Sequence, residues 1–257
     1  MLKIISVTNN KGGVGKTTTA RRLATYLADV KKKKICLIDA DPQSSLSIQF
    51  NCNVSNIKCG FYDLLVNQNI KFEDCIHKTD NELIDIIPTT IKLQEASFIL
   101  QSNASVIPQL CLKGKISNAV IDYDYLIIDT PPNLDIFLYN CLAVSTDLII
   151  PVKADLYSLL GLDMLLRVID DFSKIINHKP KKFLFLNCYK ESKTHKDFYE
   201  LMGENFPNDF MNTFIKDRVA ISRSLLNAID LEDDEKVDSK EVIQQFNDLF
   251  DEVIKNG

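Results

Sequence analysis

The chain has 257 residues and a formal net charge of −5, from 30 Lys and Arg against 35 Asp and Glu. Hydrophobic residues make up 46% and charged ones 25%, enough to fill a sizeable core and too ordered a mixture for collagen-like, linker-dominated or broadly disordered chains. The seven Cys form no C-x-x-C pair and meet only three His, which excludes a zinc ribbon and argues against a disulfide framework.

The first apolar run, residues 2–8, reads as a strand, and its polar continuation is too early for a signal peptide. It leads into Asn9-Asn10-Lys11-Gly12-Gly13-Val14-Gly15-Lys16-Thr17-Thr18-Thr19. A helix-period stretch follows with Ala20, Leu23, Ala24, Leu27 and Ala28 on one face. A strand, a Gly-rich turn ending in Gly-Lys-Thr and a helix together make a phosphate loop. Glycines let successive N–H groups point into one concavity, and the helix adds its free donors and positive dipole end. Gly12, Gly13, Val14, Gly15 and Thr18 form the cradle. Lys16 reaches the outer phosphates and the Thr17 hydroxyl is a Mg²⁺ ligand.

The second strand, 35–39, ends in Asp39 and is followed by Asp41; carboxylates at i and i+2 leave a strand on one side. Further strands are expected at 83–88, at 125–129 (ending in Asp129 before Thr130-Pro131-Pro132) and at 148–152. Next comes a helix with Asp155 as its cap and Leu156, Leu159, Leu160, Leu165, Leu166 and Ile169 as its apolar positions. Two more strands are expected at 183–187, closing on Asn187, and at 210–215. Between 174 and 196 seven lysines face one acid, Glu191. The last stretch, 239–257, has Val242, Ile243, Phe246, Leu249, Phe250, Val253 and Ile254 on one helical face and a mainly acidic opposite face. A membrane-surface helix carries a basic polar face, so this one reads as a helix docked on the sheet. No apolar run approaches the ~18 residues that cross a bilayer, and the expectation is a cytoplasmic protein. Strand and helix alternate throughout, which reads as one α/β domain over 1–257. Its expected fold is doubly wound, with a mainly parallel sheet and helices on both faces.

The loop departs from the general G-x-x-x-x-G-K-[ST] pattern, with Asn10 in place of the first Gly and Lys11 beside it. It resembles the deviant Walker A motif, K-G-G-x-G-K-[ST], of the ParA/MinD ATPases. Asp39-Ala40-Asp41-Pro42-Gln43 resembles the family's D-x-D-P-Q segment, with Ser44-Ser45 where Gly-Asn is usual. The strand ending in Asp129 resembles its Walker B strand, and Ile150-Pro151-Val152-Lys153-Ala154 its I-P-V-x-A stretch. The resemblance implies ATP and Mg²⁺ as cofactors and an ATP-sandwiched homodimer in which Lys11 reaches the partner's phosphates. It gives Asp41 to the attacking water, Asp39 to the neighbourhood of the Mg²⁺ shell, Asp129 to Mg²⁺ through water and Asn187 to the adenine edge.

Within that superfamily the chain lacks the Cys-Gly-Gly stretch of iron-protein reductases, the terminal tyrosine cluster of bacterial tyrosine kinases and the basic terminal helix of MinD. Residues 83–95 resemble the L-x-L-I-P stretch of ParA-type partition proteins, the short subtype without a helix-turn-helix arm. That subtype implies nonspecific DNA binding, nucleoid association in the ATP state, a ParB-like partner and slow ATP hydrolysis until stimulated. Lys181, Lys182, Lys190, Lys193, Arg218 and Arg223 are the candidate DNA contacts. The last two stand near a divergent I-P-R-x-V-x-L-S-E stretch that carries Lys216-Asp217 in place of Pro-Arg. Two alternatives are a MinD-like membrane-associated positioning ATPase and an ATP-dependent metabolic ligase or reductase on the same fold.

Overall fold

The computed structural model describes residues 2–218, 221 and 237–257. Seven strands form one sheet: β1 (Lys3–Val7), β2 (Ile35–Asp39), β3 (His77–Lys78), β4 (Ile84–Ile87), β5 (Tyr125–Asp129), β6 (Asp147–Val152) and β7 (Lys181–Leu186). Their order is β3-β4-β2-β5-β1-β6-β7. Every pairing is parallel except β3 with β4. The inner strands are buried on both faces, which is why they read as unbroken apolar runs.

Period-2 alternation sorts the strands' side chains between two layers. On one face Val7, Ile35, Leu37, Ile127, Ile149, Phe183 and Phe185 pack under α1 (Lys16–Thr25) and the terminal helix. On the other, Ile4, Cys36, Ile38, Leu126 and Ile128 meet α3 (Phe61–Val66), α4 (Leu93–Ser102) and α6 (Ile136–Leu142). Beside them Leu148, Ile150, Leu184 and Leu186 meet α7 (Leu156–Ile176) and α8 (Lys193–Asn205). Two shorter helices, α2 (Ser45–Gln49) and α5 (Cys111–Ser117), complete the connections.

The terminal helix, α9 (Val237–Asn256), buries Val242, Phe246, Leu249, Phe250 and Val253 in the first layer. Phe250 lies 5.5 Å from the Tyr26 ring, and Asp251 accepts the Tyr26 hydroxyl and pairs with Lys31 at 2.8 Å. Its apolar face is therefore spent on the sheet. Among the described residues no helix is long and apolar enough to cross a membrane.

Three expectations need correction. Residues 210–215 form no strand. They touch β7 through an isolated bridge of Phe210 with Leu184 and through the N–H groups of Met211 and Ile215, which donate to the Leu184 and Leu186 carbonyls, and the chain bends between these contacts. The seventh strand is instead β3, two residues whose antiparallel pairing is too short to leave a hydropathy pattern. The third correction concerns cysteine: Cys59 and Cys75, with Cα atoms 4.8 Å apart, form a disulfide that tethers the loop before α3.

Candidate functional site

The phosphate loop occupies the C-terminal ends of β1 and β6, where crossovers leave a crevice open to ligands. Gly13 and Gly15 adopt φ of +69° and +97°, left-handed values that L side chains resist. At Gly15 the restriction is doubled, since a Cβ would clash with the Asn187 amide nitrogen. That nitrogen donates to the Val14 carbonyl at 2.7 Å, while the Asn187 carbonyl oxygen accepts from Cys188 N. Asn187 thus braces the loop from behind. Asn9 braces it from the other side, donating to the Pro151 carbonyl at 2.8 Å and accepting from Lys11 N at 2.9 Å. Nothing in the spacing signals the Asn9 role, because a strand-end Asn looks like any other.

Lys16 is buried, and its ammonium donates to the Lys11 carbonyl at 3.2 Å. Burial lowers its pKa, against the upward pull of the Asp129 and Asp41 carboxylates. Parallel register pairs Asp129 with Val7 on one side and with Asp39 on the other, so all three strand tips end level. Thr17 donates its hydroxyl to Asp129 Oδ2 at 2.6 Å. Asp129 is 1% exposed and its other oxygen has no partner. Burial, then the nearby Asp39 charge, pushes the Asp129 carboxyl well above the ordinary carboxylate range. A hydroxyl beside a buried carboxylate with an orphaned oxygen is a hard-oxygen donor set that fits Mg²⁺. Among the described residues no three His, Cys, Asp or Glu side chains gather into a metal cage, so waters and phosphate oxygens would complete such a shell.

Asp39, expected near the metal shell, is level with Asp129 and is held by three hydrogen bonds of its own. Its Oδ2 accepts from Ser47 N at 2.8 Å and Ser47 Oγ at 2.6 Å, and its Oδ1 accepts from Asp41 N at 3.2 Å. Burial pushes its pKa up to about 6 despite these bonds. Asp39 fastens α2 to the strand tip and so sets the loop that carries Asp41. Asp41 is half-buried, and its Oδ1 accepts from Gln43 N at 2.9 Å. Ser44, next in the turn, sits at φ +57°.

Lys11 is clamped in cis. Its ammonium lies 2.8 and 2.7 Å from the two Asp155 oxygens and 3.1 Å from Ser158 Oγ. Asp155 is also the α7 N-cap anticipated from sequence, accepting from Ser158 N at 2.9 Å. Its partial burial favours the neutral acid, but the bonds from Lys11 and Ser158 together hold its pKa below the usual value. The first turns of α7 come close to the loop, since a Cβ on Gly161 would meet Asn10 Oδ1 at 2.8 Å. From there α7 presents an apolar stripe to solvent: Leu156, Tyr157, Leu160 and Met164 are 57–77% exposed. The sequence pattern counted Leu156 and Leu160 with the core stripe, but the residues of this helix buried in that core are Leu162, Leu165, Ile169 and Phe172.

The basic stretch divides between the two ends of a strand. Lys181 and Lys182 begin β7, where Lys181 donates to the Gly257 carbonyl at 2.6 Å and Lys182 pairs with Asp170 at 2.9 Å. Lys190 and Lys193 lie beyond the other end, about 16 Å along the strand, on the side of the phosphate loop. Arg218 is engaged by Glu241 at 2.8 Å, and Arg223 lies outside the described residues.

The fold and this site define a phosphate-loop nucleotide-binding protein of the doubly wound α/β class. A model of the AAA domain family matches residues 2–182. The sporulation initiation inhibitor protein Soj of Bacillus subtilis is 37% identical over 177 residues, 69% of this chain and 68% of Soj. The chromosome partitioning protein ParA of Myxococcus xanthus is 34% identical over 170 residues, 65% of this chain but only 58% of that protein's length. A plasmid partition protein of Borrelia burgdorferi B31, solved bound to AMPPNP, superposes with a TM-score of 0.81 at 29% identity, covering 97% of this chain and 98% of that one. The chain belongs to the ParA/Soj family of partition ATPases.

Proposed function

We propose that the chain, acting as one domain over 1–257, is a nucleotide-driven partition switch that binds ATP with Mg²⁺ and dimerises around it. In its dimer it would hold DNA without sequence preference and let go after hydrolysis. The observation that carries this reading is the convergence of Lys16, Thr17 and Asp129 under a glycine-built loop, with Lys11 waiting at its rim. AMPPNP in the Borrelia relative supports the choice of nucleotide.

In this reading Lys16 and the loop amides hold the phosphates, and Thr17 with Asp129 would hold Mg²⁺, which screens charge on the phosphates being cleaved. Asp41, on the turn fixed by Asp39, orients the attacking water. Asn187 has one amide hydrogen left for the adenine edge beside its bond to Val14. Lys11 would exchange Asp155 for the phosphates of a second copy, and the exposed α7 stripe beside it would be covered in the same step. Lys193 and Lys190 are the more suitable DNA contacts, being exposed on the loop side even though Lys190 also pairs with Asp217 at 3.3 Å, whereas Lys182 is largely covered and paired with Asp170. A ParB-like partner would accelerate an otherwise slow turnover. Burial of the α9 apolar face speaks for this reading over a membrane-positioning one.

The test compares two variants. Lys16→Ala is expected to lose ATP binding by titration calorimetry. Asp41→Ala is expected to bind ATP like the parent and to hydrolyse it at least about a hundredfold more slowly. Parental turnover by Asp41→Ala removes the water assignment.

A further inference from the structure

A cavity of about 300 Å³ opens beyond the C-terminal end of β4, between residues 54–63 and 89–92. It lies on the ligand-facing edge of the sheet but is formed by a different loop pair from the phosphate site. Its wall includes Ser55, Lys58, Tyr62, Thr89, Thr90 and Lys92. Thr89 is 1% exposed, and its hydroxyl is buried without a hydrogen-bond partner. A buried hydroxyl left unmatched costs free energy that a bound ligand recovers.

The wall's charge says what kind of ligand. Lys58 and Lys92 are exposed, and neither enters an ion pair among the described residues. Lys92 is also the N-cap of the ten-residue α4, so the positive end of that helix adds to the two ammoniums. The one acid in the wall, Asp63, gives an oxygen to Gly60 N at 3.0 Å. Backbone donors are scarce, because the N–H groups of Leu93, Gln94 and Glu95 go to the carbonyls of Thr90, Ile91 and Lys92. Two ammoniums beside the hydroxyls of Ser55, Tyr62, Thr89 and Thr90, with few free backbone N–H groups, suit a carboxylate.

The cavity is also joined to the hydrolysis site. Thr89 N donates to Ser47 Oγ at 3.1 Å, and Ser47 Oγ donates to Asp39 Oδ2 at 2.6 Å. Asp39 in turn receives Asp41 N. Thr89, Ser47 and Asp39 are all buried, so a shift at the tip of β4 reaches the Asp41 turn through one hydroxyl. We propose that this cavity binds a small carboxylate, either a free acid or an Asp or Glu side chain of a protein partner, and that its occupancy at Thr89 resets the Ser47–Asp39–Asp41 link and the rate of ATP turnover. The binding half stands by itself; the rate half rests on the ATPase reading above.

The experiment titrates the full chain, with and without Mg²⁺ and ATP, using malonate as the free acid and N-acetylglutamate methylamide as the side-chain mimic. Ionic strength is held constant, and ligand-observed NMR and ATP turnover are read together. Saturable binding of at least one probe is expected. Thr89→Val, a shape-conserving change, should weaken that binding by about tenfold or more while leaving ATP affinity unchanged. Preference for malonate assigns a free acid, and preference for the mimic assigns a partner's side chain. Ser47→Ala should keep the binding and lose its effect on turnover. Binding that ignores Thr89→Val, absence of saturation at about 50 mM, or tighter binding of inorganic phosphate overturns the site. Thr89-dependent binding with unchanged turnover in a hydrolysing protein overturns the link alone.

Discussion

Ser44 shows how a single side chain records what its neighbours demand. The turn after Asp41 places it at φ +57°, a conformation that costs a non-glycine residue about 1–2 kcal/mol. Glycine removes that strain but adds chain entropy to the unfolded state, so Ser44→Gly should stabilise the protein by a net ~0.5–1 kcal/mol in urea unfolding. A loss of stability would show that Ser44 is held by more than its weak 3.4 Å bond to the Pro42 carbonyl. The buried carboxyls give a second expectation. Asp39 titrates at about 6 and Asp129 is also raised, so between pH about 4 and 6 the folded chain binds more protons than the unfolded one. Stability from these groups is therefore present at the acid end of that window and lost as pH rises through it. Without nucleotide, thermal unfolding at pH 5 compared with pH 7 should favour the acid side more in the parent than in Asp129→Asn. Equal pH responses would contradict it. At this scale the sequence pointed to Lys16, Thr17 and Asp129, which the fold brings together, because phosphate-loop motifs have fixed spacing. It concealed Ser47 and Asn9, whose roles depend on which strand tips end side by side.

Helix α7 joins the site to the surface through its first turn. Asp155 caps the helix and holds Lys11, two roles that Asn divides: Asn caps as well as Asp but does not pair with an ammonium. Asp155→Asn should keep the helix and lower the ATP concentration needed for dimerisation about two- to fivefold, the scale of a partly exposed ion pair. An unchanged ATP requirement, measured by light scattering with hydrolysis blocked, would mean that the clamp does not restrain Lys11. Element boundaries were legible where strands are buried on both faces and where α7 and α9 repeat at helical spacing. They failed where tertiary contact alone decides. β3 exists because β4 offers an edge, and residues 210–215 touch β7 at Leu184 and Leu186 without joining the sheet. The same holds for Cys59 and Cys75, 16 residues apart in sequence and brought together only by the loop before α3.

At the scale of the whole molecule, one layer of the sheet is sealed by α1 and α9 and the other by α3, α4 and α6–α8, which leaves the C-terminal strand ends as the face for ligands. The doubly wound class followed from alternation of apolar runs and helical periods, whereas the distribution of charge did not. Lysines that are neighbours in sequence separate to opposite ends of β7 because a strand carries them apart. In the proposed switch, what that face does depends on two copies meeting across it. Sedimentation of Asp41→Ala with saturating Mg²⁺ and ATP tests this most directly. A species of twice 29.2 kDa is expected, reverting to monomer when Lys11→Ala is added. A monomer in Asp41→Ala itself, with ATP bound, would contradict it.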